Sequence, residues 1–378
     1  MEINTRYDVA IVGGGLAGLA LSIQLARLGH SVVLFEKEKY PSHKVCGEYI
    51  SLEAWDFLQE LGLDLDGLNV PLITELEIST ADGKLLKHRL PLGGFGISRY
   101  RLDQELARLA ISAGVILFEG SKVNSIDFNH NEFSIALSHQ HYQSKLVCGC
   151  FGKRSNIDIK WKRPFSAAAA NKLNNYIGVK YHIKGNFDPG TISLHLFKHG
   201  YCGLVKVETG EYNLCYLSTA SNLQENNNSI PLMEKNVLGK NPFLKKIFEE
   251  QVIDKTPLTI SQVSFDKKTQ VEQHVLMLGD AAGMITPLCG NGMSMALHAS
   301  KLAVTPIHKF LQGTITRDTM EKRYAKQWQK TFDARLKTGR RIQRLFRHSW
   351  LTRIFISVVR PFPKLVNVLI TKTHGKPF

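Results

Sequence analysis

A glycine-rich turn between two apolar segments constrains the fold of this 378-residue chain more than any other feature. An apolar run over Tyr7–Val12 leads into Gly13–Gly18, which reads GGGLAG. A run of helical period follows, and a second apolar segment closes on Glu36. The order strand, turn, helix, strand and acid is typical of a βαβ unit that binds a dinucleotide.

Each glycine of the turn has a separate role in such a unit. Gly13 permits the tight turn, Gly15 lets backbone amides approach a pyrophosphate, and Gly18 lets the helix pack close to the sheet. The N–H groups at the start of the helix favour phosphate charge, and Glu36 is placed to bind a ribose diol. The alternative is a glycine-rich turn without a ligand.

Three later stretches are placed to meet the same ligand. A loop after Glu36 carries Cys46-Gly47, and Cys46 either faces the cofactor or is a packed small side chain. Another strand ends in a glycine-rich turn at Gly149–Ser155. A third buried strand ends in Gly279-Asp280, and a helix opens at Gly292. Asp280 at the end of a parallel strand lies where such sheets bind ligands.

Between these stretches the pattern changes to short alternating strands, which predicts a second, antiparallel sheet. The expected fold class is therefore α/β, with a Rossmann-like dinucleotide-binding domain, an inserted antiparallel β-sheet domain and a C-terminal helical tail. The expected division assigns three parts to the binding domain, two to the sheet domain and one to the tail. The binding domain comprises residues 1–70, 99–165 and 268–310. The sheet domain comprises 71–98 and 166–267, and the tail comprises 311–378.

With these elements in place, the sequence resembles FAD-dependent oxidoreductases related to aromatic hydroxylases, and within them the geranylgeranyl reductase-type branch. Three matches carry the resemblance: the opening turn with Glu36; Lys44–Gly47 together with Arg99–Asp103; and Gly279–Gly283 followed by Pro287 and Gly290–Met293. The resemblance implies a Rossmann-like FAD domain of the GR2 type. It also implies FAD contacts at Ala17, Glu36, Cys46, Gly47, Arg99, Val123, Asp280, Gly292 and Met293, with Pro287 and Gly290 in the same motif.

Two stretches depart from that class. Gly149–Ser155 lacks the aspartate often found there, and Asp158 stands where the class has an arginine. The reductases' Tyr-x-Trp-x-Phe-Pro segment keeps only Tyr201. The first departure argues against a role for that turn in NAD(P)H use, and the second indicates a different substrate pocket.

Three functions compete on this basis. The first is reduction or desaturation of an extended apolar substrate of isoprenoid, polyene or polyketide type, with Cys46 as proton donor and Tyr201 as an orienting group. The second is an FAD-dependent monooxygenase that uses O₂. NAD(P)H or a reduced electron carrier is the expected reductant. The third is a flavin-binding component without turnover. A halogenase should carry Trp-x-Trp-x-Ile-Pro, which the chain lacks.

Charge is concentrated at the C-terminal end. Residues 301–378 hold 18 Lys and Arg against three acidic residues, which accounts for the whole net charge of +15. The stripe Met320, Tyr324, Trp328, Phe332 and Leu336 predicts a helix packed on the body. The segment Trp350–Ile370 mixes apolar and basic residues, which predicts docking on an anionic membrane surface.

Other partners and locations follow from what the chain lacks. No nucleic-acid-recognition motif, metal-ligand pattern, secretory leader or membrane span is recognised, and the six cysteines show no disulfide spacing. His195 and His199, four apart, are interpreted as surface or turn residues. We therefore expect a cytoplasmic monomer without metal, peripheral on the inner face of the membrane.

Overall fold

The computed structural model describes residues 6–167, 176–250, 256–263, 265–346 and 349–378. In these parts the strands are β1 Arg6–Val12, β2 Val32–Phe35, β3 Tyr49–Ser51, β4 Leu72–Ser79, β5 Leu85–Gly96, β6 Ile116–Phe118, β7 Ser125–Asn129, β8 Glu132–Ala136, β9 His141–Gly149, β10 Tyr176–Ile183, β11 Thr191–Phe197, β12 Gly200–Lys206, β13 Tyr212–Thr219, β14 Leu258–Val263, β15 Val271–Glu272 and β16 Val275–Met277. The helices are α1 Leu16–Arg27, α2 Trp55–Glu60, α3 Arg99–Ser112, α4 Asn156–Lys160, α5 Pro164–Ala167, α6 Ala220–Gln224, α7 Ile230–Asn236, α8 Pro242–Glu250, α9 Gly292–Leu311, α10 Arg317–Phe346, α11 Ser349–Val359 and α12 Pro363–Thr373.

The first sheet is the predicted parallel one. Its strands lie in the order β15-β16-β9-β1-β2-β6, and β16, β9, β1, β2 and β6 are mutually parallel. The β7–β8 hairpin continues it beside β9. Its apolar strands and the apolar faces of α1, α3, α9 and α10 form one buried core. The carboxyl ends of β1, β9 and β16 consequently meet at one edge.

The second sheet has eight strands in the order β14-β10-β13-β12-β11-β4-β5-β3. Every neighbouring pair is antiparallel except β11 and β4, which run parallel. β4 and β11 are not consecutive strands joined by a tight turn, so no hairpin connection requires them to be antiparallel. The alternating segments Leu72–Thr80 and Lys84–Leu90 around Asp82-Gly83 predict a β-hairpin. The structure confirms it, since Gly83 has a φ of +84° and lies between β4 and β5. The fold class expected from the sequence is confirmed.

Three sequence-based boundaries were wrong. The sequence pattern predicts a helix over Asp103–Ala113, but α3 begins at Arg99, because the Ser98 side chain accepts a hydrogen bond from the Arg101 N–H and caps the helix earlier. The pattern also predicts a strand over Lys122–Phe128, but β7 begins only at Ser125. The strand expected to reach Asp280 ends at Met277, and Gly279–Ala281 form a 3₁₀ turn.

The tail is helical, as predicted. The α10 stripe Met320 to Leu336 is buried, and the Tyr324 hydroxyl donates to the Met277 carbonyl at 2.6 Å. Within the described residues no single helix is long and apolar enough to span a membrane. The pair Thr352–Val359 and Pro363–Thr373, bent by 119°, meets that criterion only when both halves are combined, by length and composition alone.

Candidate functional site

The glycine turn forms a cradle at the end of β1. Gly13 has a φ of +107°, and a Cβ atom there would clash with the Cys150 backbone. A Cβ atom on Gly18 would clash with the Gly13 carbonyl oxygen. A Cβ atom on Gly15 would instead meet only the Arg99 Nη2, at 3.8 Å. No side chain caps α1, so no side chain competes with a phosphate for its first N–H groups.

Glu36 is fixed beside this cradle. It is buried directly after β2, and its Oε2 accepts a hydrogen bond from the Gly14 N–H at 2.6 Å. Its Oε1 accepts from the Glu38 N–H at 3.0 Å. The Tyr40 hydroxyl donates to the Gly14 carbonyl at 2.5 Å. These bonds hold a carboxylate next to the turn, where a ribose would lie in a dinucleotide complex.

One cavity of about 370 Å³ adjoins the cradle and extends between the two sheets. Most of the FAD-contact residues implied by the resemblance line it together: Gly15, Ala17, Cys46, Gly47, Arg99, Asp280, Gly290, Gly292 and Met293. Tyr201 lines it as well. The sequence therefore identified residues from five separate stretches that meet in space.

Four predicted residues do not line this cavity. Gly13, Gly18 and Glu36 lie behind or beside the turn. Val123 is buried, and its carbonyl accepts from the Asn156 Nδ2 at 3.1 Å. Pro287 stands apart from these four: it begins the 3₁₀ turn Pro287–Cys289, and its side chain is outside the described part of the structure.

Arg99 is the cation nearest the cradle. Its Nε and Nη2 donate to the Asp103 carboxylate at 2.7 and 2.8 Å, and Lys44 donates to the same group at 2.8 Å. Burial alone would raise the pKa of Asp103, but the charges of Arg99 and Lys44 lower it. The network fixes the guanidinium above the turn, where it complements a pyrophosphate.

A second charged cluster, which the sequence analysis missed, holds the Cys46-Gly47 loop. Glu48 is fully buried with a φ of +54°. Its carboxylate accepts from Lys180, from His182 Nε2 at 2.6 Å and from the Arg99 N–H at 2.8 Å. Burial would raise the pKa of Glu48, but the bond from His182 and the charge of Lys180 lower it. The signal available in the sequence was a lysine inside the otherwise apolar strand β10.

Two further lysines were also missed. Lys153 lines the cavity, and burial lowers its pKa against the opposing effect of Asp280. Lys268 donates to the carbonyls of Lys153 and Asp280 at 2.7 and 2.8 Å, and burial lowers its pKa to about 8. Lys268 thereby ties the turn after β9 to the turn after β16.

The aspartate at position 158, which departs from the related class, has a structural role. Asp158 is buried, caps α4 through Ser155, and pairs with Arg163 at 2.8 Å. Arg163 also donates to the Ala281 and Thr269 carbonyls at 3.2 and 3.1 Å. The pair braces the cavity edge from behind, and neither residue lines it.

Cys46 is one of several thiols at the cavity. Cys150, Cys215 and Cys289 line it too, and burial raises their pKa values, to about 12 for Cys215 and about 11 for Cys289. Burial likewise raises the pKa of the Tyr201 hydroxyl. The thiols of Cys150, Cys215 and Cys289 and the Tyr201 hydroxyl are therefore neutral at pH 7.

The interpretation of His195 as a surface residue was wrong. His195 is buried, its Nδ1 shares a 2.8 Å hydrogen bond with the Ser79 hydroxyl, and its ring stacks on Phe243. Its neighbour Leu194 lines the cavity, so strand alternation places His195 on the opposite face of the second sheet. Among the described residues, no three His, Cys, Asp or Glu side chains are grouped as metal ligands.

The far half of the cavity is an apolar chamber. Its floor is the second sheet, with Leu76, Ile78, Leu86, Leu90, Ile192, Leu194, Leu204 and Val205. Its roof is the helix pair α11–α12, with Phe355, Ile356, Val359, Val366, Leu369 and Ile370. The sequence analysis did not predict that the tail would cover the cavity.

Comparison with known proteins agrees with this arrangement. The family model described as FAD binding domain matches residues 6–330. Conditioned medium factor receptor 1 of Dictyostelium discoideum is 24% identical over 364 residues, which span 86% of this chain and 68% of that protein. Digeranylgeranylglycerophospholipid reductase 2 of Methanothermobacter thermautotrophicus is 21% identical over 359 residues, spanning 90% and 88%.

Among solved structures, the flavin-dependent brominase Bmp2 superposes with a TM-score of 0.78 at 17% identity, covering 98% of this chain and 93% of the brominase. At that identity the likeness concerns the fold alone.

Proposed function

The chain belongs to the FAD-binding domain family of oxidoreductases, and from this premise we propose that it reduces carbon–carbon double bonds in an extended apolar, isoprenoid-like substrate. The observation that carries the proposal is the continuity of the cavity. One end carries Gly15, Arg99 and Asp280, and the other is the apolar chamber. A long hydrocarbon fits such a chamber because its burial needs no polar partners.

The residues present fit the cofactor. The cradle at Gly15 lacks a side-chain cap, Arg99 supplies a fixed positive charge beside it, and Glu36 supplies the carboxylate. FAD, when bound and reduced, supplies an electron pair as hydride. NAD(P)H or a reduced electron carrier would restore the reduced form.

The chain's own contribution is to orient the substrate, exclude water and deliver a proton. Addition of hydride to one carbon of a double bond requires a proton at the other carbon. Cys46 and Tyr201 both line the cavity, and burial keeps Tyr201 protonated. Either group can donate that proton from its S–H or O–H and recover it from solvent.

Product analysis separates this function from its alternatives. The FAD-loaded protein would be given a reductant and a geranylgeranyl ether lipid in detergent, with and without O₂. A reductase adds two hydrogen atoms per double bond and needs no O₂. Insertion of one oxygen atom with O₂ consumption would identify a monooxygenase. Absence of any product across apolar substrates would favour a binding component.

A further inference from the structure

The outer face of the helix pair α11–α12 is apolar, as is the inner face that roofs the chamber. Ile354 and Val358 of α11, Phe362 at the bend, and Leu365 and Val368 of α12 are 52%, 54%, 58%, 42% and 47% exposed. A helix that covers a core in water normally turns a polar face outward. An exposed apolar strip of this kind marks an interaction surface.

Positive charge accompanies this strip. Arg353, Arg360, Lys364 and Lys372 are exposed on the same two helices, and residues 349–378 contain no acidic residue. Arg353 pairs with Asp82 at 3.3 Å. A second copy of the same face would bring like charges together, whereas an anionic bilayer complements both the charge and the apolar strip.

The pair is anchored to the body by polar contacts on its other sides. Lys84 Nζ donates to the Ser357 hydroxyl at 2.9 Å, and His88 Nε2 lies 2.7 Å from Asn367 Oδ1. Asn291 Nδ2 donates to the Thr373 carbonyl at 2.9 Å, directly before α9. Beyond α12, Phe378 stacks on His298 with ring centroids 4.1 Å apart. The strip is therefore presented by helices fixed at both ends of the roof.

We propose that the outer face of α11–α12 docks on an anionic lipid bilayer, with the chamber roof against the membrane. Docking in this orientation would let an apolar substrate pass from the bilayer to the chamber without crossing water. The passage of substrate from the bilayer rests on the proposed function, whereas the docking itself does not.

Vesicle flotation tests the docking with the full-length, FAD-loaded protein. We expect it to float with vesicles of phosphatidylglycerol and phosphatidylcholine at low salt, and to be released at high salt. Val358→Ser with Val368→Ser should lower partitioning. Leu28→Ser with Leu232→Ser, also exposed but outside the pair, should not.

The charge contribution has its own matched variants. Arg360→Gln with Lys364→Gln should lower partitioning about five-fold for each charge removed. Lys326→Gln with Lys330→Gln removes the same charge from exposed positions of α10 and should have a smaller effect. Equal losses in both variants would show that net charge, and not this face, drives binding, and would overturn the proposal.

The orientation can be measured directly. Tryptophan fluorescence of Phe362→Trp should gain a component that brominated lipids quench, relative to the parent protein. Leu28→Trp should gain none. Failure to bind vesicles at low salt, or concentration-dependent dimerisation through the strip, would refute the docking. Because the reduction assay uses detergent, its outcome stands apart from this one.

Discussion

Asp280 belongs to the sequence motif Gly279–Gly283 and also lines the cavity. It is half-buried at the cavity wall, in the 3₁₀ turn Gly279–Ala281 that follows β16, and its carbonyl accepts a hydrogen bond from Lys268. Asp280→Ala removes an acceptor for the cofactor's hydroxyl groups, so we expect FAD affinity to fall by roughly 1–3 kcal/mol. Titration of the apoprotein with FAD measures this. Asp318→Ala, on the exposed side of α10, should leave the affinity unchanged, and equal affinities in both variants would mean that Asp280 does not contact FAD.

Glu48 is a buried carboxylate whose charge is balanced by a buried lysine. Glu48→Gln leaves the Lys180 ammonium buried without its counter-charge, which should lower the free energy of unfolding by about 3–5 kcal/mol at pH 7. The exposed Glu225→Gln provides the control, since its pair with Lys198 is solvated. Denaturant unfolding measures both.

The lowered pKa of Glu48 also sets a pH dependence. A carboxyl whose pKa is lower in the folded state stabilises fully above its unfolded pKa of about 4.3, and this contribution is lost as pH falls through the folded pKa. The stability difference between the parent and Glu48→Gln should therefore shrink below about pH 4.3. A difference that stays constant down to pH 2 would show that the carboxylate charge contributes nothing.

At the scale of elements, the helix pair α11–α12 offers two neighbouring valines on opposite faces. Val366 is 4% exposed in the roof, whereas Val368 is 47% exposed on the outer strip. Val366→Asn should cost about 2–4 kcal/mol, from lost apolar burial and an unpaired amide. Val368→Asn should cost little in the absence of membrane. Thermal unfolding compares them, and similar values would mean that the roof is not packed as described.

The elements that the sequence predicted well are those with strong local signals. The turn at Gly13–Gly18 and the α10 stripe each carry a period or a residue type that few other structures allow. The glycines and Asp280 of the cavity were found for the same reason. The contact between Glu48 and Lys180 was missed because a lysine inside β10 indicates a buried partner without indicating which distant residue supplies it. The chamber roof was missed because both faces of this helix pair are apolar. The sequence then does not indicate which face packs against the body.

At the scale of the whole molecule, the two sheets line different parts of one cavity. The parallel sheet gathers the ends of β1, β9 and β16 around the cradle, and the second sheet and the tail enclose the apolar chamber. Leu194 lies on the chamber floor, half-buried, whereas Leu232 is 41% exposed elsewhere. A tryptophan at position 194 should fill the chamber and leave the cradle intact.

The central claim is that the substrate's double bond is reduced in this shared cavity. Reoxidation of the chemically reduced, FAD-loaded protein by a geranylgeranyl ether lipid, followed anaerobically through the flavin absorbance, tests it most directly. We predict reoxidation matched by saturated product, lost in Leu194→Trp and retained in Leu232→Trp, with FAD content equal in all three. Flavin that stays reduced in the presence of the lipid, or equal reoxidation in both variants, would contradict the claim.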